Sequence, residues 1–276
     1  MSPLSTKYQY YSISTIKCQI YSSRIFLQSK TSQQLPPGTD AIVLSVKIIF
    51  LNAWNGRVGD ELRRYLKTQL PTTDIFCFQE AYDDMKALAG EVLTNYTAYT
   101  DFKPVNEKDN FWQATYIRKD LQVTASGTVL KEQPNSGFGV YVTVQADEQS
   151  LCVVNFHGMS RPIDKRDDPN RLAQSRALIE ALASKAPVIV GGDFNLLPEA
   201  ESIRMFAAHG YRDLIEEYNI PTTRNQLAWD QYPEPKFEKQ YHSDYVFLSP
   251  ELTLQDFTVP NLTISDHLPL EVTISE

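Results

Sequence analysis

Ile264-Ser265-Asp266-His267-Leu268-Pro269 stands at the entry to the last apolar strand of the chain, Leu268 to Ile274. Three fragments upstream have the same character: Phe78-Gln79-Glu80, Asn155-Phe156-His157 and Gly191-Gly192-Asp193-Phe194-Asn195. Each follows a short apolar, β-branched or aromatic run, the pattern of a buried strand. Acids, amides and histidines are therefore written repeatedly at strand ends. A fold that brings those ends to one edge would gather them into one polar site.

The remaining pattern supports stacked sheets. Val46-Lys47-Ile48-Ile49-Phe50-Leu51, Ile75 to Phe78, Ala114 to Ile117, Leu121 to Leu130, Gly139 to Gln145, Leu151 to Phe156, Val188 to Val190 and Tyr245 to Leu248 all read as strands. Helices are predicted over Asp60 to Leu70 (closed by Pro71), from about Tyr82 to Thr94, from Asp168-Pro169 to about Ser184, and from Pro198-Glu199 to His209-Gly210. In the third helix Leu172, Leu178, Ile179 and Leu182 are expected to face inward. Several strands succeed one another without helices between them, which excludes an alternating βαβ barrel and favours sheets flanked by helices.

At 276 residues and 42% hydrophobic content, the chain can build a sizeable core. Residues 46–276 are expected to form a single domain, preceded by a poorly ordered extension over residues 1–45. That leader has no acid before Asp40 and carries Lys7, Lys17, Arg24 and Lys30, so the overall charge of −8 becomes −12 for the rest. It contains no signal-type apolar segment, and no apolar run is long enough to span a bilayer. A cytoplasmic location is expected, with organelle targeting by residues 1–40 as the alternative. Cys18, Cys77 and Cys152 are odd in number and widely spaced, so buried free thiols are expected rather than a disulfide framework. The acidic body argues against tight, charge-driven nucleic-acid binding. It does not exclude a polyanionic substrate, because a bound divalent cation reverses the local field.

The strand-end residues match the needs of phosphoester hydrolysis: a hard cation, an aimed water and donors for developing charge. Asp193 and Asn195, two apart, can point the same way, and Gly191-Gly192 are expected to form a tight turn that approaches a ligand. Asp244 starts a neighbouring strand and can orient an imidazole. A zinc site built from His157, His242 and His267 lacks suitable spacing. Arg161, Lys165, Arg166, Arg171 and Arg176 follow His157, but Asp164, Asp167 and Asp168 interleave them, so this stretch is read as a solvated helix face. Arg224 falls in a loop that can overhang the site and is a candidate substrate contact.

In its order and spacing, the series Leu51-Asn52-Ala53-Trp54, Phe78-Gln79-Glu80, Asn155-Phe156-His157, Gly192-Asp193-Phe194-Asn195, Ser243-Asp244-Tyr245 and Ser265-Asp266-His267 resembles the endonuclease/exonuclease/phosphatase superfamily over residues 46–276. The resemblance implies an α/β fold of deoxyribonuclease I type, a four-layer α/β/β/α sandwich of two packed, mostly antiparallel sheets flanked by helices. It implies Mg²⁺, replaceable by Mn²⁺, held by Glu80 with Asn52 and Asp266; the number of ions stays open. It further implies that Asp193 orients or deprotonates the attacking water, that Asn195 hydrogen-bonds the phosphate and that His157 donates to the phosphate or leaving group. His267, oriented by Asp244, would stabilise the transition state. Outside what the resemblance implies, Asn155 and Arg224 are expected to meet substrate. The expected activity is a nuclease-type phosphodiesterase. A phosphoesterase for a small soluble or lipid-headgroup phosphate is the first alternative, and a non-catalytic binding module the second. The partner is a phosphoester substrate, with no obligate protein partner evident. Substrate choice is assigned to loops 101–113, 158–169 and 219–242.

Overall fold

Alternate residues of the first long apolar run enter two different hydrophobic cores. Val46, Ile48 and Phe50 join one, whereas Ile49 and Leu51 join the other. The next strand repeats the division, with Ile75 and Cys77 on one side and Phe76 and Phe78 on the other. A strand covered on both faces has no polar side to show, which accounts for the unbroken apolar runs in the sequence.

A computed structural model describes Ile20–Tyr21, Arg24–Ile25 and residues 45–275, apart from 105–109, 147–148, 186 and 235. Residues 1–41 and 42–276 form separate units. In the first, β1 (Ile20–Tyr21) pairs antiparallel with β2 (Arg24–Ile25); the expectation of a poorly ordered extension otherwise falls on residues outside those described. The second unit continues with β3 (Ser45–Asn52), α1 (Asp60–Gln69), β4 (Ile75–Gln79), α2 (Asp83–Val92), β5 (Tyr96–Pro104), β6 (Asn110–Arg118), β7 (Gln122–Val129), β8 (Phe138–Ala146) and β9 (Gln149–His157). Then come α3 (Pro169–Ala183), β10 (Val188–Asp193), α4 (Glu201–Ala208), β11 (Arg212–Asp213), α5 (Leu214–Glu217), α6 (Gln226–Gln231), β12 (Asp244–Leu248), β13 (Thr253–Thr258) and β14 (Leu270–Ser275).

Twelve of these strands form two six-stranded sheets, ordered β11-β12-β10-β9-β8-β7 and β13-β14-β3-β4-β6-β5. Each sheet has one parallel pair at its centre, β9 with β10 and β3 with β4, and every other pairing is antiparallel. The same layout thus occurs twice without a sequence repeat. The sheets face each other through β3 and β4 on β10, and β6 on β8 and β9. Leu62, Leu66, Met85, Leu88 and Val92 bring α1 and α2 onto one sheet. Leu178, Ile179, Leu182, Ile203 and Phe206 bring α3 and α4 into the core of the other. This is the expected sandwich.

Three local expectations are corrected. Gly191-Gly192 is not a turn, for both residues lie inside β10. A Cβ on Gly191 would sit 2.8 Å from the Phe50 ring of the facing sheet. At Gly192, where φ is +132°, it would sit 2.2 Å from the Phe156 carbonyl. The glycines therefore allow close approach within the fold rather than to a ligand. On α3, Leu172 is only half-buried, and Arg171 is buried in its place. The Arg171 guanidinium donates to the carbonyls of Met159, Pro162 and Arg166, which holds the segment after β9 against the helix. The basic stretch is thus not uniformly a solvated face: Arg171 and Lys165 are both buried.

Lys103 shows how an edge strand is fastened. Its buried Nζ donates to the Leu130 carbonyl (2.8 Å), Ser136 Oγ (3.0 Å) and the carbonyls of Gln133 and Gly137. Lys103→Met would leave these buried acceptors unmatched. A loss of about 2–4 kcal/mol is expected in urea denaturation at pH 7.

Candidate active site

Register places the strand-end residues together. In the parallel pairs, Asn52 lies beside Gln79, the residue before Glu80, and Asp193 lies beside His157. In the antiparallel pair of β10 with β12, Asp193 faces Asp244. The closing stretch is tied to the same edge by Ser265 Oγ, which donates to the Asn52 carbonyl at 2.7 Å. Arg224 bridges to His267, and Leu268 N donates to the Thr223 carbonyl at 2.8 Å.

Glu80 follows β4 with φ +52°, a left-handed conformation uncommon outside glycine, which turns its carboxylate out of the strand path. Asn52 Nδ2 donates to Glu80 Oε1 at 3.2 Å and to Asp193 Oδ2 at 3.0 Å. Its Oδ1 accepts from Trp54 N at 3.1 Å. Asn52 therefore braces two carboxylates instead of turning its oxygen to the cleft. Burial, followed by repulsion from Asp266, pushes the Glu80 carboxyl above its ordinary value.

Asp193 has two distinct oxygens. Oδ1 accepts from Asn195 N at 2.9 Å and from the Ser243 hydroxyl. Oδ2 faces His157 Nε2 at 3.7 Å and His267 Nε2 at 3.6 Å. Burial alone would raise this carboxyl, but His267, Lys165 and His157 together hold it well below the usual carboxylate range.

His267 Nδ1 lies 2.8 Å from Asp244 Oδ1 and 2.9 Å from Oδ2. Burial and Arg224 oppose its protonation, but Asp244, Asp266 and Asp193 outweigh them and raise its pKa. Asp266 Oδ2 accepts from Arg224 Nη2 at 3.2 Å and from Gln231 Nε2 at 3.0 Å. His157 packs edge-on against Phe111, and burial lowers its pKa to about 4, so the imidazole is neutral at pH 7.

Glu80, His157, Asp193, Asn195, Arg224, Asp266 and His267 line one cavity of about 570 Å³, with Asn52 and Asp244 buried beside them. Asn195 donates to the Gly158 carbonyl at 3.3 Å. Asn155 is a correction. It is fully buried, and its amide is bonded to Gln79, Phe78, Ala114 and Thr115 between the sheets, so no group is left for substrate. Sequence reasoning missed Lys165, Ser243 and Gln231. Lys165 was visible only as one of several bases interleaved with acids, and nothing in that pattern says it turns inward.

The residues fit a hard divalent cation. Glu80 and Asp266 are two oxygen donors on one cavity whose charges repel, a conflict that a cation relieves. Asp193, Asp244 and His267 also bring ligand atoms within 4.8 Å of one another. His267 Nδ1 is already engaged by Asp244, however, so that trio reads better as an oriented imidazole beside a carboxylate.

Two facing sheets thus bring carboxylates, amides and a carboxylate-held histidine to one edge, a set of groups that can hold a cation and aim water at a phosphate. The chain belongs to the Endonuclease/Exonuclease/phosphatase family, whose profile matches residues 49–267. Solved structures agree on the fold. An endonuclease/exonuclease/phosphatase family protein from Bacteroides thetaiotaomicron superposes with TM-score 0.66 at 19% identity, covering 84% of this chain and 98% of that one. The human Nocturnin catalytic domain with bound sulfate gives 0.63 at 21%, covering 88% and 99%. D. rerio TDP2 complexed with single-strand DNA product gives 0.64 at 17%, covering 84% and 99%. No curated protein sequence matches. No helix among the described residues is long and apolar enough to cross a membrane.

Proposed function

We propose that the protein is a Mg²⁺-dependent phosphoester hydrolase of nuclease type, cleaving a phosphodiester by attack of water on phosphorus. The observation that carries this reading is the convergence on one cavity of Glu80, Asp266, Asp193 and an aspartate-held imidazole. Glu80 and Asp266 would hold Mg²⁺, or Mn²⁺ in its place, with Asn52 bracing Glu80. The ion would supply Lewis-acid neutralisation of the phosphate. Asp193, held ionised, aims the water through Oδ2. His267, whose proton is held more tightly than in a free imidazole and which is oriented by Asp244, donates to a phosphate oxygen as charge develops. His157 and Asn195 stand beside that position as further phosphate contacts, and the buried Arg224, paired with Asp266, supplies positive charge to the cavity wall.

The nuclease reading is supported by the likeness to TDP2, which was solved with single-strand DNA product. The cavity volume favours a second reading, since about 570 Å³ suits a small phosphoester. A substrate panel with added Mg²⁺ separates the two. It would contain single-stranded DNA, duplex DNA, RNA, sphingomyelin, inositol phosphates and nucleotides. Turnover of single-stranded nucleic acid, abolished by EDTA and restored by Mg²⁺ or Mn²⁺, is expected. Turnover of only small phosphates would favour the second reading. Silence on every substrate would favour a binding module.

A further inference from the structure

Lys165 has no part in the roles above, although it forms part of the cavity wall. It lies between β9 and α3 in a left-handed conformation, φ +56°. Its carbonyl accepts from Leu197 N at 2.9 Å, which ties it to the segment after β10. The side chain then runs inward until the residue is only 6% exposed. Its Nζ donates to Ser243 Oγ, and the Ser243 hydroxyl donates to Asp193 Oδ1. Burial lowers the Lys165 pKa to about 7, and a buried amine in either protonation state needs hydrogen-bond partners. Here the serine hydroxyl passes the interaction on to Asp193.

We infer that Lys165 is a positioning residue: through Ser243 it pins Asp193 Oδ1, so that Oδ2 alone is presented to the attacking water. This rests on the reading of Asp193 as the group that aims that water. The geometry explains why one oxygen is saturated by Ser243 and Asn195 N while the other faces both imidazoles. It also gives the buried amine a function that a surface lysine would not have.

The test uses the full chain with Mg²⁺ and the fastest substrate of the panel above, comparing Lys165→Met, Lys165→Gln, Ser243→Ala and the Lys165→Met/Ser243→Ala double variant. Lys165→Met and Ser243→Ala should each lower kcat roughly 30- to 100-fold with KM within about threefold, the size of effect that misplacing a reacting group produces. The double variant should lose no more than the worse single variant, because both break one chain of contacts. Lys165→Gln keeps an N–H donor and should recover about tenfold of the loss. A raised KM with unchanged kcat would instead make Lys165 a direct substrate contact and overturn the inference, as would losses that multiply in the double variant. If Lys165→Met does not fold, Ser243→Ala decides alone, with unchanged kcat overturning the relay. Undiminished turnover in an Asp193 variant would be a different failure, that of the underlying assignment.

Discussion

Asp193→Asn is expected to lower kcat by about a thousandfold, within the range attributed to a positioned acid–base group. Asn is isosteric and its Oδ1 still accepts from Asn195 N and Ser243. What it loses is the negative oxygen held between the two imidazoles and Asn52. An amide N–H in that place meets the Asn52 N–H donor head-on and removes the charge that offsets Lys165 and His267. A stability loss of roughly 1–3 kcal/mol accompanies the kinetic defect. Circular dichroism should still show a folded protein. Turnover within tenfold of wild type would remove Asp193 from the reaction.

His267→Ala has the second large effect. It deletes the imidazolium expected to face the phosphate, and a loss of about a hundred- to a thousandfold in kcat follows, as for removal of one preorganised transition-state donor. It also strands Asp244, which is buried and has both carboxylate oxygens within hydrogen-bond distance of His267 Nδ1. Breaking a buried pair by removing one partner costs roughly 3–5 kcal/mol. The pH dependence follows from the direction of the shift. The folded protein holds its proton on His267 more tightly than an unfolded chain does. The stabilisation is therefore complete below about pH 6.5, the unfolded value, and is lost as pH rises through the higher folded value. The stability gap between wild type and His267→Ala should narrow on the alkaline side. A gap that widens there would contradict the assigned charge.

The sequence shows the site more clearly than it shows the sheet edges. Glu80, His157, Asp193, Asp244 and Asp266-His267 each stand at or near one end of an interior strand, whose apolar composition marks where it ends. The central pair β3 and β4 serves two cores, so nearly every residue carries signal. The edge strands β5 and β13 do not. Tyr96–Pro104 buries only Tyr96 and Lys103, and Thr253–Thr258 buries only Phe257. An edge strand covered on one side writes a faint, polar pattern, which is why neither was foreseen. The short helices α5 and α6 are marked only by their caps, Asp213 and Asn225.

Two side chains show a different limit. Asn155 and His157 occupy alternate positions of one strand end and read as equivalent polar candidates, yet Asn155 joins the sheets and His157 lines the cavity. Their separation depends on the depth at which the facing sheet passes, and strand periodicity does not encode that depth. Lys165 is the converse case. The acids around it suggest a solvated stretch, but its left-handed backbone and the anchor of its carbonyl to Leu197 turn the side chain inward.

Hydrolysis in ¹⁸O-labelled water with Mg²⁺ tests the central claim most directly. Attack by an Asp193-aimed water on phosphorus predicts that the label enters the phosphate product, one atom per bond cleaved, and that Asp193→Asn suppresses this incorporation along with turnover. Label found in the alcohol product, or label entering phosphate at an undiminished rate in Asp193→Asn, would contradict it.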